Sequence, residues 1–262
     1  DLAKILFEFK NKASKIGVRQ FVIQTHFESS MEITPRVKKA VEKLIQAGWI
    51  VTNQLVFTVA ASRRGHTAKL RKDLNEIGVL PYYTFTVKGY MENSCHFAPS
   101  ARTVQELTEE KQIGLVPDKY YNTIESFQLN AENMVENIKK LCQTAQIPYL
   151  STDRNVLNLP GVGKSLTFRV IGITNDGRRI LEYDHDKTRS HSPIIDKMGK
   201  ITIIESKSIT RYLKQLGELG EDIEEYKNIY GYSISETETR IPIYKYPEYK
   251  FKITDKLTNL VI

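Results

Sequence analysis

Cysteine is nearly absent, with only Cys95 and Cys142 in 262 residues. Two thiols cannot build a disulfide framework, and so few suggest a reducing compartment, which makes the cytoplasm the expected location. No apolar run approaches the roughly eighteen residues that a membrane-spanning helix needs, and no basic-then-apolar leader opens the chain. Methionine is missing from the first position. The chain starts at Asp1, and Leu2, Ile5, Leu6 and Phe9 already recur at helical spacing, so it reads as a piece cut from a longer polypeptide. Compact basic clusters are scarce despite the net charge of +7, because acids interleave with the lysines, as from Glu218 to Lys227. Only Ser62-Arg63-Arg64-Gly65-His66 forms a basic turn. Nucleic acid is therefore not an expected partner, and a small anionic ligand fits the charge equally well. No internal repeat or low-complexity tract occurs. What is present is ordinary for a globular protein with a substantial core, at 40% hydrophobic and 26% charged residues.

The first hundred residues alternate strand and helix. Arg19 to Thr25 has strand character, and Thr34-Pro35 opens a helix with a capping threonine and a first-turn proline. Val37, Val41, Leu44 and Ile45 give that helix its apolar face, and Gly48 ends it. Trp49 to Gln54 is the next strand, with Leu55 to Phe57 as an extension. A helix follows from His66 to Ile77, ended by Gly78, and Leu80 to Val87 is the third strand. Short connections in this order predict parallel strands, with ligands gathered at their carboxyl ends, in a barrel or an open sheet. The expected ends carry His26, Gln54 and Lys88, which form one candidate site.

Farther along, Ser100 to Thr108 and Asn130 to Ala145 read as helices. Met134, Ile138, Leu141 and Cys142 form the buried stripe of the second, so Cys142 is expected in the core rather than as a nucleophile. Gly114 to Asp118 marks a loop. Thr167 to Thr174 and Arg179 to Tyr183 read as a hairpin closed by Asn175-Asp176-Gly177, and Gly199 to Glu205 as a further strand. Residues 206–262 are charged and tyrosine-rich, with a helix near Ile209 to Leu216 and extended pieces around Pro242 and Pro247. Surface wrapping or a subunit contact suits this tail, which leaves a homo-oligomer open.

The stretch Asn155 to Phe168, NVLNLPGVGKSLTF, resembles the end of a phosphate-binding loop. That motif needs a glycine where Asn158 stands, and a helix after Lys164-Ser165. The residues that follow, Leu166 to Ile173, have strand character instead, so a P-loop nucleoside triphosphatase fails both tests. A lysine on a glycine loop can alternatively bond to pyridoxal phosphate, with Gly161 and Gly163 letting the ring approach the backbone; an exposed loop lysine is the plain alternative.

Thr25-His-Phe-Glu-Ser-Ser-Met-Glu-Ile-Thr-Pro35 resembles the THF…EITP segment of the lysine 2,3-aminomutase family. Ala47-Gly48, Asn53-Gln54, Pro81-Tyr82-Tyr83, His96-Phe97 and Pro160 to Lys164 follow in the family's order, and the likeness covers residues 1–100 and 145–185. The resemblance implies an α/β fold: the carboxyl-terminal half of a radical S-adenosylmethionine (β/α) partial TIM-like barrel, followed by an α+β region. It implies barrel units over 1–100, a helical insertion over 101–150, the lysine loop and hairpin over 151–205, and an extension over 206–262. It also implies an isomerase using pyridoxal 5'-phosphate, S-adenosyl-L-methionine and a 4Fe-4S cluster to move an amino group between adjacent carbons of a small amino acid. Lys164 aligns with the pyridoxal lysine, and His26 and Gln54 align with residues beside the adenosyl and pyridoxal groups.

Departures from the family pattern bear on substrate. Lysine-acting members hold the distal ammonium with two aspartates, where Lys88 and Asn158 stand here. Two charges near 4 Å interact by about 4 kcal/mol at an effective dielectric of 20, so a cation at position 88 repels a lysine substrate and attracts a distal carboxylate. The pair resembles the glutamate 2,3-aminomutase subgroup, making L-glutamate to β-glutamate the expected reaction. The alternatives are another amino acid, lysine included, or a non-catalytic binding module on the same fold. The cluster's CxxxCxxC motif and the basic residue for the substrate's α-carboxylate are not among these residues, so this chain alone is expected not to generate a radical. The zinc cysteine expected near Arg64 is missing too, and Asp184-His185-Asp186 with His191 is read as a solvated loop, so no metal site is expected.

Overall fold

A computed structural model describes residues 2–86, 94–109, 114–127, 129, 131–151, 155–157, 168–183, 197, 199–226 and 229. Helix α1 (Leu2–Lys15) leads into β1 (Val22–Thr25), followed by α2 (Pro35–Gln46), β2 (Ile50–Val56), α3 (His66–Glu76) and β3 (Leu80–Thr86). Then come α4 (Ser100–Glu109), α5 (Tyr121–Phe127), α6 (Met134–Ala145) and β4 (Asn155–Leu157). Strands β5 (Arg169–Ile173), β6 (Arg179–Tyr183) and β7 (Ile201–Ile204) precede α7 (Ile209–Glu218).

The alternation expected for the first hundred residues is present, and its local causes are visible. The Thr34 hydroxyl accepts from the Val37 amide at 3.3 Å and so caps α2, with Pro35 in the first turn. At Gly78 the backbone takes φ +81° to turn from α3 into β3. A Cβ there would stand 2.7 Å from Ile45 Cδ1, so only glycine lets this turn lie against α2. Helix α1 forms as its spacing predicts, but it is only partly covered: Trp49 Nε1 donates to the Leu6 carbonyl at 3.3 Å, while Leu2 and Ile5 stay largely exposed.

Strands β1 to β4 lie side by side in sequence order, all parallel. Among the described residues the order runs without reversal, which a barrel wall and one half of a doubly wound sheet share. Register places Gln24 beside Thr52 and Thr52 beside Leu80. The pairing then slips, so that Asn53 faces Pro81 while Gln54 faces Tyr83, leaving Tyr82 as the extra residue of a bulge. Strand alternation puts Val51, Asn53 and Leu55 on the helix-covered face, with Val51 and Leu55 in the main core. Gln24, Thr52, Gln54 and Tyr83 share the opposite, inner face by register.

The expected hairpin is present. Thr174 and Arg178 close its turn through a 2.8 Å backbone bond, and Gly177 takes φ +80°. With β7 it makes a three-stranded antiparallel sheet, and α7 adds Tyr212 and Leu216 to the same continuous core. Two short elements escape the sequence reading. Helix α5 is a single seven-residue segment past the Gly114 to Asp118 loop, where the helical insertion was given no element of its own, and β4 is three residues long, formed by long-range pairing to β3. Cys142 is half-buried against the core, and burial pushes its thiol pKa up, as a packed rather than a nucleophilic cysteine requires.

Buried charge links the layers. Arg71 of α3 meets Glu106 of α4 at 2.9 Å and Thr84 of β3 at 3.2 Å, and Thr67 donates to the same Glu106 oxygen at 2.6 Å. Glu205, just beyond β7, accepts from the Ser100 amide at 2.9 Å, at the start of α4, and from Arg179 of β6 at 2.7 Å. Glu106→Ala removes the anion opposite a buried cation and is expected to cost about 3–5 kcal/mol in urea unfolding. The double variant Arg71→Met/Glu106→Leu is expected to recover most of that loss.

Candidate functional site

The turn after β1 is built almost entirely from side chains gripping backbone. Asn53, buried in β2, accepts from the Phe27 amide at 2.7 Å and donates to the Phe27 carbonyl at 3.0 Å, while its Oδ1 also accepts from Thr25 Oγ1 at 2.9 Å. Glu32 takes the next two amides, Glu28 at 3.0 Å and Ser29 at 2.9 Å, completing a capping box on the 3-10 turn Ser30–Glu32. His66, the first residue of α3, lies against the Glu28 carbonyl at 2.5 Å through Nε2. A carbonyl only accepts, so Nε2 carries the proton there. Burial holds the His66 imidazole below its ordinary pKa, with the Glu28 contact opposing and Arg63 adding to the depression.

This turn presents His26 and Glu28 at the carboxyl end of the sheet. The Glu28 carboxyl is pushed up by burial and by Glu32, and is held back by a hydrogen bond from Thr58 and by His26. Thr58 follows β2, and Val59, Phe57 and Thr58 pair with His96, Ala98 and Phe97 through backbone. His26, Glu28, Thr58 and the His96-Phe97 backbone therefore meet at one end of β1 and β2. Below them on the inner face, Gln24 Nε2 donates to Gln54 Oε1, and Tyr83 neighbours Gln54 by register. A cavity of about 750 Å³ opens against the amino half of this face, between Gln24, Thr52 and Tyr82 and the α5 residues Tyr121, Ile124 and Glu125.

Of the residues anticipated as strand ends, His26 stands directly after β1 as expected. Gln54 does not end its strand: β2 continues through Val56, since Leu55 and Val56 pair with Thr84 and Phe85. Gln54 is thus a buried inner-face residue near the end, not a rim residue. Lys88, Asn158, Gly161, Gly163 and Lys164 lie outside the described residues, as do Asp184 to Asp186, His191 and the segments around Pro242 and Pro247. The last described residues before positions 88 and 158, Thr86 and Leu157, are register partners on β3 and β4 at the same end of the sheet as His26. Glu28, Gln24 and His66 had no assigned role in the sequence. The signal for Glu28 was its place two residues beyond His26; His66 is buried beneath what read as a basic turn.

Polar side chains converging at the carboxyl ends of a parallel α/β sheet are where such sheets place their ligands. No protein-family model matches the chain. Over 237 residues it is 32% identical to an uncharacterized KamA family protein of Methanocaldococcus jannaschii, covering 88% of this chain and 31% of that protein. Glutamate 2,3-aminomutase of Clostridioides difficile is 35% identical over 107 residues, covering 40% of this chain and 25% of that protein. A putative L-lysine 2,3-aminomutase of Aquifex aeolicus is 31% identical over 100 residues, covering 38% and 26%. The chain belongs to the lysine 2,3-aminomutase family, and it spans a third or less of the length of these relatives.

Asn53→Ala leaves the Phe27 amide and carbonyl without their partner and is expected to cost about 2–3 kcal/mol in urea unfolding, with faster hydrogen exchange at Phe27. The depressed His66 pKa also fixes a sign. The unfolded imidazole takes a proton at its ordinary value of 6.5 and the folded one resists, so the contribution of His66 is intact above that pH and lost as pH falls below it. Unfolding midpoints of wild type and His66→Gln should diverge in pH dependence between pH 7.5 and 5.5, with the steeper decline in the wild type.

Proposed function

We propose that these residues form the part of a radical S-adenosylmethionine, pyridoxal phosphate-dependent 2,3-aminomutase that holds the pyridoxal lysine and the distal end of the substrate. The match to a KamA family protein carries the proposal: covering 88% of the chain, it spans residues 54 to 164 wherever along the chain it begins. The sequential parallel order of β1 to β4 supports the partial-barrel form of that family, with units divided as the sequence suggests. The described groups near the mouth suit a heteroaromatic ligand: an imidazole at His26, an amide at Gln54 and a phenol at Tyr83 can donate to or accept from a ring or a ribose. Pyridoxal phosphate, when bound, supplies the electron sink that lets an amino group pass between adjacent carbons.

Within that scheme Lys164 would hold the cofactor through its Nζ, with Gly161 and Gly163 leaving room for the ring. His26 and Gln54 would orient the adenosyl and pyridoxal groups from the inner face. Lys88 would attract a distal carboxylate and Asn158 would donate an amide proton to it, which makes L-glutamate the preferred substrate. The relatives carry both substrate names, glutamate and lysine, over similar spans, so the preference rests on the charge at position 88. The cluster ligands are not among these residues, and the chain by itself would not initiate radical chemistry; S-adenosylmethionine and the 4Fe-4S cluster belong to the longer protein.

Borohydride reduction of the longest parent protein with pyridoxal phosphate, followed by peptide mapping, is expected to find the adduct on Lys164. Lys164→Ala should lose both adduct and turnover, and an adduct elsewhere would overturn the assignment. Under anaerobic reducing conditions glutamate should turn over and lysine should not. Lys88→Asp is expected to shift the ratio of kcat/KM toward lysine by on the order of 100-fold or more.

A further inference from the structure

We infer that His66 is a positioning residue for the mouth of the site, holding the turn that presents His26 and Glu28 from a helix that itself contributes nothing to the inner face. The inference rests on the proposed function only in naming what the turn serves; the link itself is read from geometry.

Three elements grip residues 27–29, and they differ in kind. Asn53 reaches from the neighbouring strand and matches both polar groups of Phe27. Glu32 reaches from the following 3-10 turn and takes the amides of Glu28 and Ser29. These contacts leave the Glu28 carbonyl, and His66 Nε2 meets it at 2.5 Å, from 38 residues away in sequence. The Glu28 side chain, one bond set away from that carbonyl, faces His26 and Thr58. Whatever fixes the Glu28 peptide therefore fixes where its carboxyl and the neighbouring imidazole stand.

The same contact dictates the form of the ring. With Nε2 donating, a neutral His66 leaves Nδ1 as a bare acceptor, and Nδ1 is buried with no hydrogen-bond partner. A bare lone pair in such a place costs less than an N–H that finds no acceptor, and a charged ring would put one there. The charged groups around it do not favour a second proton: Arg63 sits on the same turn, and the carboxyl of Glu28 is turned toward Thr58 and His26. Gly65, in the left-handed region at φ +76° and with no capping side chain, sets the start of α3 so that residue 66 is the first to point back at the β1–α2 turn. An exposed histidine in a basic turn would need none of these features.

Selective 15N-histidine labelling of the chain tests the inference. Wild-type His66 should show a protonated Nε2 and an unprotonated Nδ1 at neutral pH; the opposite tautomer or a charged ring would overturn it without any variant. Hydrogen exchange read by mass spectrometry adds the second arm. In His66→Phe, exchange across residues 26–30 should quicken by about tenfold, and the His26 ring signals should move, while the β5–β6 hairpin keeps wild-type protection. His66→Gln, which retains a neutral donor, should restore both. Unchanged exchange and unchanged His26 signals in His66→Phe would overturn the inference, and so would an equal loss of protection throughout the chain or a His66→Gln variant no better than His66→Phe. A wild-type protein that takes no pyridoxal on Lys164 would instead sink the functional proposal and leave these signals as they are.

Discussion

The two hydrogen bonds between the Asn53 amide and the Phe27 backbone are the constraint on which the site depends. A chain leaving a parallel strand must satisfy its backbone without a ladder partner, and a carboxamide is the side chain that can serve one N–H and one C=O of the same residue. Because Asn53 is buried on the helix-facing side of β2, the adjacent Gln54 must point to the opposite, inner face. One dipeptide thus does two jobs: its first residue shapes the loop that carries His26, and its second lines the surface below. The Gln24–Gln54 contact then ties the inner faces of β1 and β2 together.

Buried ion pairs extend this rigidity away from the mouth. Glu106 gathers Arg71 and Thr67 on one carboxylate oxygen, and Arg71 in turn reaches Thr84, so α3, α4 and β3 share one buried polar knot. Glu205 does the same between the antiparallel sheet and the start of α4, where a carboxylate also suits the positive end of the helix. Such pairs add little net stability over a well-packed apolar core, but they fix which elements meet. The platform under the turn is set by their directionality as much as by burial.

Much of the first half was legible because its signals are local. Thr34-Pro35 and Gly48 bound a helix by local chemistry, and the short β-branched run that follows, opening Ile50-Val51-Thr52, announces a strand. The extension read over Leu55 to Phe57 is present through Val56, where β3 lies alongside, and it takes Gln54 off the rim where the shorter form of the strand had placed it. Strand β4 escaped because its three residues carry too little pattern to outweigh their proline- and glycine-rich surroundings. In the site, His26 and Gln54 stood out by resemblance to a family motif, whereas Glu28 and His66 act through contacts 30 to 38 residues away that no spacing rule encodes.

The slip between Pro81 and Tyr83 sets a reading frame for β3. Upstream of it Leu80 shares the inner face with Thr52; downstream Tyr83 and Phe85 take that face, and Thr84 and Thr86 are sealed against the helices. Were Tyr82 drawn into the ladder opposite Gln54 instead of standing apart, every later side chain would move to the other surface, turning two hydroxyls toward the ligand space and two aromatic rings into a layer that holds Arg71. A strand of seven residues therefore depends less on its length than on which one of them is left out of the ladder.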